Sequence, residues 1–229
     1  MHVTGKSRYP ARMAEPLLRH ATAPVHGRYL VQPPSSGAAD LWLVGFHGYA
    51  QSAAQFLPDV ARAASAGRWL VASVQALHPF YTKDQRIVAS WMTRLDREHA
   101  LADNIRYVAD VVAAVQDEFR VDSPVVFVGF SQGGAMAYRA AANVRSAGVI
   151  VLAADVPPDV SAPLKLPPVL IGRGRGDTWY TDEKMTLDVA RLNGICPRVE
   201  TCVFDGGHEW TDDFAAAAGA FLGRIRRER

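Results

Sequence analysis

The chain has 229 residues, 49% of them hydrophobic, and 25 Lys and Arg stand against 23 Asp and Glu for a formal charge of +2. That length suits one domain with a substantial core, so residues 1–229 read as a single domain with 1–24 as an N-terminal extension. The one dense basic run, RIRRER at 224–229, closes a predicted helix where cations complement the dipole, which argues against nucleic acid as a partner; no run approaches 18 uncharged apolar residues, so no membrane span is expected.

Short apolar runs alternate with longer helical periods, the signature of a mostly parallel sheet. In chain order the predicted strands are GRYLVQ (27–32), LWLVGF (41–46), WLVASV (69–74), PVVFVGF (124–130), GVIVLA (148–153), PPVLIG (167–172) and VETCVF (199–204). Several are apolar throughout, as strands covered on both faces are. Helices are predicted at about 52–66, 97–119, 132–144, 182–194 and 211–226. The second is the clearest, with Ile105, Val108, Val112, Val115 and Phe119 at helical spacing. Right-handed crossovers then put helices on both faces, and the loops at the carboxyl ends of the strands become the place to look for a site.

Three such loops carry chemistry. Gly129-Phe130-Ser131-Gln132-Gly133 closes one apolar strand and opens a helix; G-x-S-x-G in that setting is a nucleophile elbow, with Ser131 thrust forward on a sharp turn among small neighbours. A serine hydroxyl needs a positioned base. Of the seven histidines only His208, in GGHEW at 206–210, follows Ser131, as the order serine, acid, histidine requires. The acid is Asp177, ending VLIGRGRGD, in preference to Asp155 in LAADVPP; Asp205 shapes the turn. The loop VGFHGYAQS at 44–52 is placed to supply the second oxyanion donor from Tyr49 N–H, beside the N–H of Gln132. His47 is expected to hold that loop by hydrogen bonding.

These residues resemble a known family. HGY at 47–49, GFSQGGAMA at 129–137, the turn ending at Asp177 and GGHEW are similar to the phospholipase/carboxylesterase branch, acyl-protein thioesterase-like, of the α/β-hydrolases. The resemblance spans roughly 25–225. It implies the α/β-hydrolase fold, a mostly parallel central sheet with helices on both faces and little or no cap domain. It also implies a serine esterase without metal or organic cofactor, with Ser131, Asp177 and His208 as triad and the Tyr49 and Gln132 amides as oxyanion hole. Two departures are the bulky Tyr49 and Ser90-Trp91-Met92-Thr93 where the family often carries Trp-Phe-Asp.

Substrate is less legible. In the segment 75–96, Phe80, Tyr81, Trp91 and Met92 either line an acyl pocket or anchor a loop to the core, and Trp179 and Tyr180 are further candidate walls. Trp91, Met92, Trp179 and Phe80 are taken as the substrate-binding set. Arg173 and Arg175 are read as solvated rather than as a site for an anionic substrate. The partner expected is a small-molecule ester, with a homodimer left open. Two cysteines, Cys196 and Cys202, and no secretory apolar stretch behind Lys6, Arg8 and Arg12 point to the cytoplasm. Rival readings are a peptidase or lactone hydrolase on the same triad, or a non-catalytic binding protein on the same fold.

Overall fold

The computed structural model describes residues 15–35, 37–64 and 67–228; Lys6, Arg8 and Arg12, the start of the proposed extension and the end of the first predicted helix lie outside them. Seven strands form the main sheet: β1 (Tyr29–Gln32), β2 (Leu41–Phe46), β3 (Trp69–Val74), β6 (Val125–Phe130), β7 (Ser146–Leu152), β8 (Val169–Gly174) and β9 (Val199–Phe204), in the spatial order β1-β3-β2-β6-β7-β8-β9. A separate hairpin pairs β4 (His78–Tyr81) with β5 (Ile87–Ser90). Among the described residues there are five helices: α1 (Ala53–Ala63), α2 (Arg97–Phe119), α3 (Gln132–Asn143), α4 (Asp182–Asn193) and α5 (Asp212–Arg227).

Only β1 runs antiparallel, Tyr29 lying opposite Val74; the other six strands are parallel. Strands β2, β3, β6 and β8 are buried at every position, which is why their sequences do not alternate: both faces are covered. α1 packs against α5 on one side, while α2 packs against α3 on the other. The helices begin where the sequence supplies caps. Ser52, Thr181 and Thr211 each accept the backbone N–H three residues on, at the starts of α1, α4 and α5.

Residues 15–28 form no regular element, yet they are tied along α2: His20 Nε2 lies 3.0 Å from Asp96 Oδ1, and Tyr107 donates its hydroxyl to the Arg28 carbonyl at 2.8 Å. The β4–β5 hairpin is the one architectural feature beyond the sequence reading. Its four-residue strands, HPFY and IVAS, include a proline and too short an alternation to register as strands. It is stitched to the loop after β2, Ala50 N–H donating to Ala89 O at 3.1 Å and Ala89 N–H to Gln51 O at 2.8 Å.

The candidate active site

Ser131 stands between the end of β6 and the start of α3 with φ 50° and ψ −122°, a region an L-residue enters only at a cost of about 1–3 kcal/mol. The fold holds it there from both sides: Ser131 N–H donates to Leu152 O, and Ser131 O accepts from Gly134 N–H, each at 2.9 Å. Gly133 explains why the turn can be so tight. A Cβ on it would come within 2.0 Å of the Phe46 carbonyl oxygen at the end of β2, so any side chain there would push α3 off the sheet.

Beyond β9, the turn at 205–210 carries His208. Its Nε2 lies 2.8 Å from Ser131 Oγ and its Nδ1 2.8 Å from Asp177 Oδ2. A carboxylate can only accept, so the proton sits on Nδ1 and the Nε2 lone pair faces the serine hydroxyl. Asp177 is buried; its other oxygen, Oδ1, accepts from Trp179 N–H at 2.8 Å and Tyr180 N–H at 3.0 Å. Burial pushes this carboxyl's pKa up, but the Tyr180 amide, the His208 ring and the Trp179 amide outweigh it and hold the pKa below the usual aspartate value. Asp155, the other aspartate weighed, points instead to Lys184 Nζ at 3.2 Å.

The acid and histidine loops touch backbone to backbone. Arg175 N–H donates to Phe204 O and Gly176 N–H to Gly206 O, both at 2.8 Å, and a Cβ on Gly174 would fall 2.3 Å from Gly207 O. Arg173 corrects the sequence reading: it is not solvated but buried, donating through Nη1 to Gly174 O at 2.7 Å. A guanidinium at a strand's end satisfies carbonyls that a tight turn leaves over. Arg175 is exposed and meets Asp205 at 3.0 Å.

At the end of β2, His47 is fully buried. Nδ1 donates to Gly48 O at 2.7 Å, and Nε2 accepts Ala76 N–H at 3.1 Å. Burial pushes its pKa down to about 4, so it is a neutral spacer joining the 47–51 loop to the segment after β3. Gln51, unremarked in the sequence, pins the same loop by accepting Gly48 N–H on Oε1 at 2.7 Å. A polar residue three places after a glycine turn is the signal that would have found it. Gln132 does more than lend its amide: Trp91 N–H donates to its Oε1 at 2.9 Å, and its Nε2 donates to Met92 O at 3.2 Å.

A cleft of about 650 Å³ opens over Ser131 and His208, bordered by Tyr49, Phe130, Met92 and Trp179. A second, of about 770 Å³, adjoins it under the hairpin; Tyr49, Met92, Arg97 and Gln132 line both, and Phe80 lines the second. Tyr49 stacks on Phe80 with ring centroids 5.5 Å apart. Trp91 departs from the expected substrate-binding set. It is fully buried, donating its indole N–H to His47 O at 2.8 Å and meeting Phe46 edge-on, so it anchors the segment to the core and lines neither cleft. Tyr180 is buried as well, its hydroxyl 3.0 Å from Asp188 Oδ2, which also accepts Val156 N–H at 3.0 Å. Tyr180 nonetheless borders the first cleft beside Asp155, Val156, Pro157 and Pro158, and its bond to Asp188 ties it to Val156 in that wall.

Among the described residues no helix is long and apolar enough to cross a membrane, and both cysteines are free. No curated protein matches the chain. Among solved structures it is similar to esterase PE8, at 23% identity over 88% of this chain and 100% of that one, with a TM-score of 0.68. It is similar to the Bacillus cereus carboxylesterase at 16% identity over 87% and 94%, TM-score 0.69, and to SOBER1 of Arabidopsis thaliana at 18% over 81% and 98%, TM-score 0.62. The alpha/beta hydrolase family matches residues 93–227, a span that contains Ser131, Asp177 and His208. Matched over more than half its length, the chain belongs to the α/β-hydrolase family.

Proposed function

We propose that the protein is a serine esterase that cleaves carboxylic ester or thioester bonds of small acyl substrates through an acyl-enzyme on Ser131. The observation that carries this is the continuous line from Asp177 Oδ2 through the His208 ring to Ser131 Oγ, 2.8 Å at each contact, ending at the floor of an open cleft. Ser131 Oγ attacks the carbonyl carbon while His208 Nε2 takes its proton; the carboxylate of Asp177 fixes the ring and stabilises the imidazolium. The tetrahedral oxyanion rests on the amides of Tyr49 and Gln132, neither of which donates to a protein acceptor among the described residues. Collapse expels the alcohol or thiol, protonated by His208. Water activated by the same nitrogen then releases the acid. No step calls for a cofactor.

Hydrolysis of p-nitrophenyl acetate, butyrate and octanoate by the protein and by Ser131→Ala tests the reading, with a fluorophosphonate as label. Turnover and labelling that are both abolished in the variant support it. Equal rates in both proteins, or a folded protein that the fluorophosphonate does not label, would sink it.

A further inference from the structure

The charged side chains at the cleft are unevenly paired. Lys184 is matched by Asp155. Arg139, itself buried, grips Asp159 through Nε and Nη2, each at 2.7 Å. Arg97 has no such partner among the described residues: Nη1 donates to Met92 Sδ at 3.1 Å, and a thioether is among the weakest acceptors a protein offers. Its neighbour Asp96 turns away to His20. Arg97 borders both clefts, and the second adds Arg94 and His78; Arg94 also forms no ion pair among the described residues. Asp159, held by Arg139, also feels the Arg97 charge, so two guanidiniums share one carboxylate and, with Arg94 beside them, the region where the clefts join keeps a net positive charge facing open space.

Ser131 and Arg97 line the same cleft. Ser131, Gln132, Ala135 and Arg139 of the α3 segment line the first cleft, which runs about 12 Å from Ser131 to Arg139 at about 1.5 Å per residue. Ala135, Ala153, Val156 and Pro157 give the stretch between an apolar lining, suited to methylenes. Resting on the reading of Ser131 as nucleophile, we propose that the cleft selects esters bearing an anion, a carboxylate or phosphate, at the far end of one arm. Arg97 receives that anion with Arg94 beside it. A guanidinium offers the paired donors that either anion takes in a bidentate contact, and here the oxygens replace the Met92 sulfur as acceptor.

The test uses matched esters: mono-p-nitrophenyl suberate against p-nitrophenyl octanoate, with the charge on the acyl arm, and 3-phosphopropyl butyrate against propyl butyrate, with the charge on the alcohol arm. In the intact protein the charged member of at least one pair has the higher kcat/KM. Arg97→Gln lowers that preference about fivefold through KM, the size expected of an exposed ion pair, and Arg97→Lys, which keeps the charge but not the paired donors, falls between the two. A preference absent from both pairs, or unchanged in Arg97→Gln, overturns the proposal. Calorimetric binding of suberate to Ser131→Ala reads the anion site whether or not Ser131 is the nucleophile. Suberate that binds Ser131→Ala but not Ser131→Ala/Arg97→Gln supports the site; no binding, or equal binding, overturns it.

Discussion

Two histidines sit at the carboxyl ends of strands in this fold, each beside glycine, and chemically they are opposites. His47, after β2, has both ring nitrogens committed to backbone, Nδ1 to Gly48 O and Nε2 to Ala76 N–H, in a fully buried site. His208, after β9, has a carboxylate behind it and a hydroxyl in front, and its side chain is 27% exposed. The same imidazole is a structural strut in one loop and the proposed base in the other. The difference lies in what each nitrogen faces: an Nε2 lone pair already filled by an amide N–H has nothing left with which to take a proton.

Breaking that contrast has the largest effect at His208. His208→Ala is expected to lower kcat for p-nitrophenyl butyrate by about 10⁵-fold or more with little change in KM, because the members of a triad act as a unit. Asp177→Asn, which keeps the shape but supplies a donor toward the wrong nitrogen, should cost about 10³–10⁴-fold in kcat. Neither change should greatly lower the melting temperature; a loss of activity that only follows unfolding would remove the distinction.

At His47 the effect falls on stability. Above pH 6.5 the ring is neutral whether the chain is folded or not, and it adds no pH dependence. Between the unfolded value of 6.5 and the native value of about 4, only the unfolded chain takes up the proton, so stability falls as pH drops. The component amounts to about 3 kcal/mol at about 1.4 kcal/mol per pH unit. Urea unfolding across pH 7 to 4 should show that decline, and His47→Gln, which does not titrate, should lack it.

Smallest is the arginine pair of the acid loop. Arg175 and Asp205 meet at the surface, so Arg175→Ala should change stability by less than about 0.5 kcal/mol. Arg173→Ala, which removes a buried guanidinium's bond to the Gly174 carbonyl and leaves only the Asp177 N–H on it, should cost more, about 1–3 kcal/mol by chemical denaturation.

Apolar runs and helical periodicity were the most legible signals. β2, β3, β9 and α2 fall on the residues that they indicate; in β2 and β3, covered on both faces, little freedom in composition is left. The meeting of Ser131, Asp177 and His208 was likewise readable, because each ends or follows a strand of the same parallel sheet. What stayed hidden depends on which way a side chain turns. Trp91 gave no sign whether it faced cleft or core, and Arg173 looked solvated by residue type although the turn carbonyls draw it inside. Arg97 escaped notice because its interest lies in donating to the Met92 sulfur rather than forming an ion pair, which only the folded arrangement reveals.

Gln132 joins two things usually considered separately. Its backbone N–H follows directly on Ser131, while its side chain clasps Trp91 and Met92 at the foot of the β4–β5 hairpin. The 75–96 segment is therefore no interchangeable cassette. Transplanting another protein's hairpin to reshape the cleft would disturb the residue whose amide is proposed to hold the oxyanion. A graft that preserves the Trp91 amide and the Met92 carbonyl can alter the walls of the cleft and leave the reaction centre in register.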